Sequence, residues 1–228
     1  MSTPKLIFDI ETVGVEFDSL DEKSREYILE FAKTPEDEAK KKEDLVFSPL
    51  MGEIVAIGIL NPDTDKGAVY YRDPSGKDEK RSENNIQYAP FKTEKEVLKE
   101  FWDTAQLYDQ FITFGGHAFD CPYLAIRSAI LKIKPTRKLM GYRFTKAQDM
   151  HIDLYDQFTN FGAMREGRKN LHMWCQAFGI KSPKDEGVTG DNVGELFNDK
   201  KYLKIAEYCA GDLWATKELF EYWEKYMK

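Results

Sequence analysis

The sequence is poor in cysteine and histidine, with only three of each among its 228 residues. The cysteines, at positions 121, 175 and 209, are odd in number and widely spaced. This pattern excludes a disulfide framework and a Cys-x-x-Cys zinc site. We therefore expect reduced thiols and a cytoplasmic protein.

A long apolar run and an excess of positive charge are also missing. No run approaches the roughly 20 apolar residues that span a bilayer, and Asp9 comes too early for a secretory signal, so we expect no membrane partner. The formal net charge is −7. This balance argues against a protein that coats nucleic acid non-specifically, because that mode needs many cations to neutralise phosphates. The net charge does not exclude an enzyme that holds one strand end through metal ions.

Hydrophobic residues make up 42% of the chain, and aromatic residues 14%, which is enough for a substantial core. The capping box Thr93-x-x-Glu96 predicts the start of a helix. A meander of three strands, followed by alternating helices and strands, indicates an α/β domain with a mixed sheet. Short apolar runs place the predicted strands at residues 6–10, 54–60, 68–71, 111–114 and 150–154.

Charged segments interrupt this pattern. Residues 16–44 hold eleven acidic and six basic residues, so we interpret residues 13–50 as a solvated helical insertion within a single domain, 1–228. Polar residues 75–86 are typical of a surface loop. From 121 to 148 there are only basic charges, which fit either a solvated helix end or a phosphate-facing surface. They are Arg127, Lys132, Lys134, Arg137, Lys138, Arg143 and Lys146, and Arg165, Arg168 and Lys169 follow.

The first chemical signal lies at the end of the first predicted strand, where residues 8–12 read FDIET. Asp9 and Glu11 are two apart and therefore project from the same face of a strand. Two carboxylates on a central strand repel each other unless a cation neutralises them. Mg²⁺ and Mn²⁺ prefer such oxygen ligands. An ordinary strand end facing water is the alternative.

Further acids follow at two separate places. Asp120 comes shortly after the strand 111–114 and begins a helix, where a carboxylate that stabilises the helix N-terminus is the alternative. Tyr208 and Asp212 are four apart, so a helix places them on one face. Gly211 costs about 1 kcal/mol within a helix. It indicates either close approach of another group or a break between two helices.

Taken in order, these segments resemble the three motifs of the DEDD exonuclease superfamily, and the tyrosine is similar to its DEDDy branch. The motifs are residues 8–12, residues 113–124 and Tyr208-x-x-x-Asp212. Within that branch, the chain most resembles stand-alone predicted 3′–5′ exonucleases related to the family-B DNA polymerase proofreading domain. The resemblance implies an RNase H-like fold, in which a five-stranded mixed sheet, an antiparallel meander followed by parallel strands, is flanked by helices.

The resemblance also implies a two-metal reaction at Asp9, Glu11, Asp120 and Asp212. These acids are expected to hold two divalent cations, Mg²⁺ or Mn²⁺, which activate a water and stabilise the leaving 3′ oxygen. Tyr208 is expected to orient that water, since a phenol with a pKa near ~10 is a poor base at neutral pH. The implied activity removes nucleoside 5′-monophosphates from the 3′ end of single-stranded DNA.

For the substrate, the resemblance implies that Thr12 contacts the terminal nucleotide, with Phe119 and His117 as weaker candidates. A core position for Phe119 and a plain loop position for His117 are the alternatives. Gly115 stands where the family often has an asparagine near the strand end, which leaves the substrate preference open. Asp153 either supports the site from behind or faces solvent.

Two other functions fit the same residues. One is an exoribonuclease acting on RNA, because discrimination of the 2′-hydroxyl depends on pocket geometry; we favour DNA. The other is a non-catalytic nucleic-acid-binding module on a degenerate nuclease fold. The complete set of four acids weighs against that module, which has no need of them.

Overall fold

A computed structural model of the chain describes residues 3–140, 150–164, 170–182 and 190–228. Within these ranges the strands are β1 (Lys5–Gly14), β2 (Gly52–Asn61), β3 (Lys66–Arg72), β4 (Arg81–Glu83), β5 (Ile86–Phe91), β6 (Gln110–Thr113) and β7 (His151–Asp153). The α-helices are α1 (Glu22–Leu29), α2 (Pro35–Glu43), α3 (Glu94–Ala105), α4 (Asp120–Ile130), α5 (Leu154–Phe158), α6 (Leu171–Phe178), α7 (Val193–Asn198) and α8 (Tyr202–Tyr226).

The strands form one mixed sheet in the order β4-β5-β3-β2-β1-β6-β7. β1, β2 and β3 make the predicted antiparallel meander. β6 pairs parallel with β1, and β7 pairs parallel with β6. Helices flank this sheet, so the predicted α/β fold is confirmed.

The predicted count of five strands is wrong, because β4 and β5 add two strands beside β3. β4 lies entirely within residues 75–86, which the sequence indicated to be a loop. Its side chains are mostly exposed, since it is an edge strand, and it shows no apolar alternation. In β5, Pro90 removes a backbone donor and obscures the strand pattern, although it pairs with Tyr71.

Helix α8 is packed directly on the meander, and this contact positions much of the site. Gly58 of β2 lies beneath it. A Cβ at Gly58 would come within 2.8 Å of Cys209 Sγ and 2.9 Å of Leu213 Cδ1. Because Gly58 pairs with Asp9 across the β1–β2 ladder, this close approach brings α8 over the carboxylates of β1.

The connection between β1 and β2 carries α1 and α2, neither of which buries a residue. A 3₁₀ turn at Asp44–Phe47 then returns the chain to the sheet through the buried Leu45. No described helix combines the length and apolar character needed to cross a membrane.

Candidate active site

Asp9 and Glu11 lie two residues apart on β1, an interior strand of the sheet between β2 and β6. Glu11 is only 7% exposed, and Asp9 is partly buried. The pairing register between β1 and β2 shifts immediately after Glu11, between it and Thr12. Helix α8 packs over Asp9, and its Cys209 Sγ is 3.9 Å from the Asp9 backbone oxygen and 4.0 Å from Asp9 Oδ2.

Asp120 lies on a different element, α4, and contacts the same strand. It is the first residue of α4, as predicted, and is 5% exposed. The backbone N–H of Ile10, between the two β1 acids, donates to Asp120 Oδ1 at 3.1 Å. This bond fixes the third carboxylate beside the first two.

Tyr208 and Asp212 both come from α8. The helix runs without a break from Tyr202 to Tyr226, so the interpretation of Gly211 as a helix break is wrong. One turn of helix therefore separates Tyr208 from Asp212, and burial, together with the Asp212 carboxylate, raises the pKa of Tyr208. Asp212 is 8% exposed.

Side chains from these elements meet in one cavity of about 340 Å³. All five predicted catalytic residues line it, and so does Phe119. The other lining residues were not assigned roles from the sequence, and they include Phe47, Phe114, Gly115, Tyr155, Asn170, His172 and Ser182.

Burial and mutual repulsion control the protonation of this cluster. Burial, with the Asp120, Asp212 and Glu11 carboxylates, raises the pKa of Asp9 well above its usual range. Burial, with Asp212 and Asp120, raises the pKa of Glu11 in the same way. Both shifts mean that the ionised carboxylates are costly without a compensating cation. The carboxylate oxygens fit a hard divalent ion.

A carboxylate network holds the loop that leads to Asp120. Asp153, 1% exposed, accepts from the backbone N–H of Gly115 at 2.8 Å and of His117 at 2.9 Å. Gly115 has a φ of +78°, a conformation that glycine adopts without strain. The solvent-facing alternative for Asp153 is therefore wrong. It supports the site from behind.

His117 takes part in this network, since its Nδ1 lies 2.8 Å from Asp156 Oδ2. His117 is not among the described residues that line the cavity. Its predicted substrate contact stays a prediction. His117, Asp153 and Asp156 also place possible metal-ligand atoms within 4.8 Å of one another. The Asp153 oxygens, however, are already occupied by backbone donors.

Thr12 and Phe119 border a second cavity of about 540 Å³ that adjoins the first. Thr12 is 5% exposed, and its hydroxyl donates to the Val46 carbonyl at 3.1 Å. Phe119 is half-buried and lines both cavities. The alternative prediction, a core position for Phe119, is therefore only partly confirmed.

Two cations of the phosphate-facing surface suggested for residues 121–148 are paired with acidic residues. Arg127 is 7% exposed and donates to Glu94 through Nε at 2.9 Å and Nη2 at 2.7 Å. Arg137 pairs with Asp109 at 3.1 Å. Local charge composition does not reveal these partners, because they are distant in sequence. Arg143, Lys146, Arg165, Arg168 and Lys169 lie outside the described residues.

Residues that the sequence did not assign form part of the rim. His172 Nδ1 lies 2.7 Å from Ser182 Oγ, and Asn170 caps α6 by accepting from the Met173 N–H at 3.1 Å. The sequence signal for these residues is weak: segments 151–155 and 170–181 resemble stretches that DEDDy exonucleases carry between the second and third motifs. Which of their side chains line the cavity depends on helix packing.

Comparison with known proteins assigns the family. Residues 54–226 match the model of a family described as "Predicted 3'-5' exonuclease related to the exonuclease domain of PolB". The chain belongs to this family. The match contains Asp120, Tyr208 and Asp212 but begins after β1, so the contribution of Asp9 and Glu11 rests on the structure.

Similar proteins from archaea agree with this family. "DNA polymerase 1" of Sulfurisphaera ohwakuensis is 29% identical over 82 residues, covering 35% of this chain and 9% of that protein. A "DNA polymerase" of Methanocaldococcus jannaschii is 39% identical over 77 residues, covering 28% of this chain and 5% of that protein. The expected relation of this PolB-like exonuclease to family-B polymerases is confirmed.

The fold has a counterpart among solved structures. The family B DNA polymerase from the hyperthermophilic archaeon Pyrobaculum calidifontis matches with a TM-score of 0.61 and 18% sequence identity. The match covers 98% of this chain and 25% of that polymerase. The chain thus spans a quarter or less of the length of these relatives.

Proposed function

We propose that this chain is a metal-dependent 3′–5′ exonuclease that hydrolyses single-stranded DNA and releases nucleoside 5′-monophosphates. The observation that carries the proposal is the convergence of Asp9, Glu11, Asp120, Asp212 and Tyr208 in one cavity. Four clustered carboxylates repel one another when they are ionised, and bound cations would offset this repulsion. Membership of a predicted exonuclease family supports the direction of cleavage.

The four carboxylates are proposed to bind two Mg²⁺ or Mn²⁺ ions, whose ligand preferences match carboxylate oxygen. When bound, such a pair supplies an activated water and neutralises charge on the attacking and leaving oxygens. The protein keeps its ligands in place through the bond from Ile10 N–H to Asp120 and through the Asp153 network behind Gly115.

Tyr208 is proposed to orient the attacking water. Burial, followed by the nearby Asp212, Glu11 and Asp9 carboxylates, raises the pKa of Tyr208 far above that of a free phenol. The side chain therefore keeps its proton at neutral pH. It acts as a hydrogen-bonding group and not as the base.

A DNA substrate is favoured because both curated relatives are DNA polymerases by name. Matched DNA and RNA oligonucleotides, labelled at the 5′ or the 3′ end, test this choice directly. We expect release of mononucleotides from the 3′ end of single-stranded DNA with Mg²⁺ or Mn²⁺, and none with a chelator. Faster cleavage of RNA would favour the exoribonuclease.

Asp9→Asn tests the proposed metal cluster. It removes one anionic ligand and should lower cleavage by at least about 100-fold. Asp103→Asn, an exposed residue on α3, is the matched control and should leave the rate unchanged. Calorimetric titration with Mn²⁺ reports metal binding independently. Folded protein that binds a DNA or RNA strand but cleaves neither polymer with Mg²⁺ or Mn²⁺ would instead indicate the non-catalytic binding module.

A further inference from the structure

Phe47 is an exposed aromatic residue at the boundary of the active site. It ends the 3₁₀ turn at Asp44–Phe47, on the connection between β1 and β2, and it is 62% exposed. It lines both the cavity that contains the carboxylates and the adjoining cavity that contains Thr12. The family match begins at residue 54, so it does not include this side chain.

The backbone on the N-terminal side of Phe47 is held in place by packing and hydrogen bonds. Leu45 is 5% exposed, and a Cβ at Gly14 would lie 3.1 Å from Leu45 Cβ, which shows how closely the turn approaches β1. The Val46 carbonyl accepts from Thr12 Oγ1 at 3.1 Å and from Tyr123 Oη at 3.2 Å. Phe47 therefore projects from a fixed turn.

Phe47 and Phe119 form a corner of two aromatic rings. Their centroids are 6.2 Å apart and their planes meet at 69°. A planar base can lie flat against one ring while its edge contacts the other. Phe119 directly precedes Asp120, so this corner adjoins the predicted metal ligands.

The charges around the second cavity favour a base over a phosphate. Glu11, Glu43 and Asp44 line it, against a single described cation, Lys42. A phosphate placed there would meet a net negative surface, whereas a neutral base would not. Its volume of about 540 Å³ also has room for a single nucleotide base.

We propose that Phe47 and Phe119 bind the base of the 3′-terminal nucleotide in this second cavity. This proposal rests on the exonuclease function proposed above. Thr12 is a positioning residue for Phe47, acting through the Val46 carbonyl. A base held in this way has its face on one ring and an edge against the other, so that edge has no room for a paired partner. Phe47 therefore contributes to selection of single-stranded ends.

The test compares two single-stranded DNA substrates, one ending in a normal 3′ nucleotide and one ending in an abasic nucleotide. KM and kcat are measured for the wild type, Phe47→Ala, Phe47→Trp and Phe31→Ala. Phe31 is 74% exposed in the same connection and lines neither cavity among the described residues, so it is the matched control.

We expect the wild type to prefer the normal end. Phe47→Ala should raise KM for that end about 10-fold and leave KM for the abasic end unchanged. Phe47→Trp should restore the preference, and Phe31→Ala should behave as wild type. Thr12→Val should lose part of the preference, whereas Thr12→Ser, which keeps the hydroxyl, should retain it.

An equal effect of Phe47→Ala on both substrates would overturn the inference, because it would show a structural role only. Wild-type enzyme that cleaves both ends with the same KM would also overturn it and leave the exonuclease function intact. Wild-type protein that cleaves no strand would overturn both.

Discussion

The Tyr208 hydroxyl lies against carboxylates that keep it protonated. Burial raises its pKa first, and Asp212, Glu11 and Asp9 add to the shift in that order. A neutral phenol one helical turn from Asp212 can donate a hydrogen bond to a water held between the acids. This environment sets the chemical role of a single residue, because the same side chain in water would titrate near pH ~10.

Removing this hydroxyl should slow the reaction without emptying the metal site. Tyr208→Phe deletes a hydrogen bond near charged groups, worth about 1.5–3 kcal/mol, so kcat should fall about 10- to 100-fold. Mn²⁺ affinity, measured by calorimetry, should stay close to wild type. The matched control is Tyr226→Phe, at a residue 66% exposed at the end of α8. A wild-type rate that falls away as a phenol ionises between pH 8 and ~10 would contradict the protonated state.

Glu94 links three elements at the side of the sheet opposite α8. It is the first residue of α3 and is 6% exposed. Its Oε1 accepts from the Ile54 N–H of β2 at 2.9 Å, while both oxygens accept from Arg127 of α4. Arg127 also donates to the Pro49 carbonyl at 3.2 Å. The pair joins α4, which begins with Asp120, to the centre of the fold.

Breaking this pair should destabilise the protein strongly. Glu94→Gln leaves the Arg127 guanidinium buried without a carboxylate, and we expect a loss of about 3–5 kcal/mol in the free energy of unfolding. The double variant Glu94→Gln/Arg127→Met should lose less than the sum of the single changes. Urea unfolding measures both, with exposed Glu100→Gln as control. An unchanged midpoint in Glu94→Gln would show that the pair contributes little.

The net charge of −7 has separate sources in the whole molecule. Part belongs to the solvated connection between β1 and β2, where residues 16–44 hold eleven acidic and six basic residues. Another part belongs to the acidic cavity, where the pKa values of Asp9 and Glu11 are raised. The second part weakens the metal-free fold and is offset when cations bind. Net charge alone therefore does not decide whether this chain binds nucleic acid.

The stability of the metal-free protein should depend on pH because of these raised pKa values. With a raised pKa in the folded state, Asp9 and Glu11 hold more protons when folded than when unfolded, so their contribution to stability falls as pH rises through the folded pKa. Asp9→Asn/Glu11→Gln should remove this dependence. The double variant should melt at a higher temperature than the wild type near neutral pH in chelator, and the difference should grow with pH.

Added Mn²⁺ should raise the melting temperature of the wild type, because a ligand that binds only the folded state stabilises it. It should have little effect on Asp9→Asn/Glu11→Gln. Thermal scans across pH, with and without Mn²⁺, measure both effects. Parallel pH curves for the two proteins would contradict the raised pKa values.

Local patterns were sufficient for much of the site. The spacing of Asp9 and Glu11 predicted a shared strand face, the Thr93–Glu96 capping box is present at the start of α3, and the spacing of Tyr208 and Asp212 predicted one helix face. Each of these predictions depends on residues within one turn or one strand step. Backbone periodicity alone places such neighbours.

Contacts between distant residues required the tertiary structure. Sequence by itself determined which acids the chain offers and the faces of the elements that carry them. Only tertiary packing decided that these acids share a cavity, that Arg127 is buried against Glu94, and that Phe47 borders the site. The reason is physical: these partners come from separate elements, and no local period relates their positions.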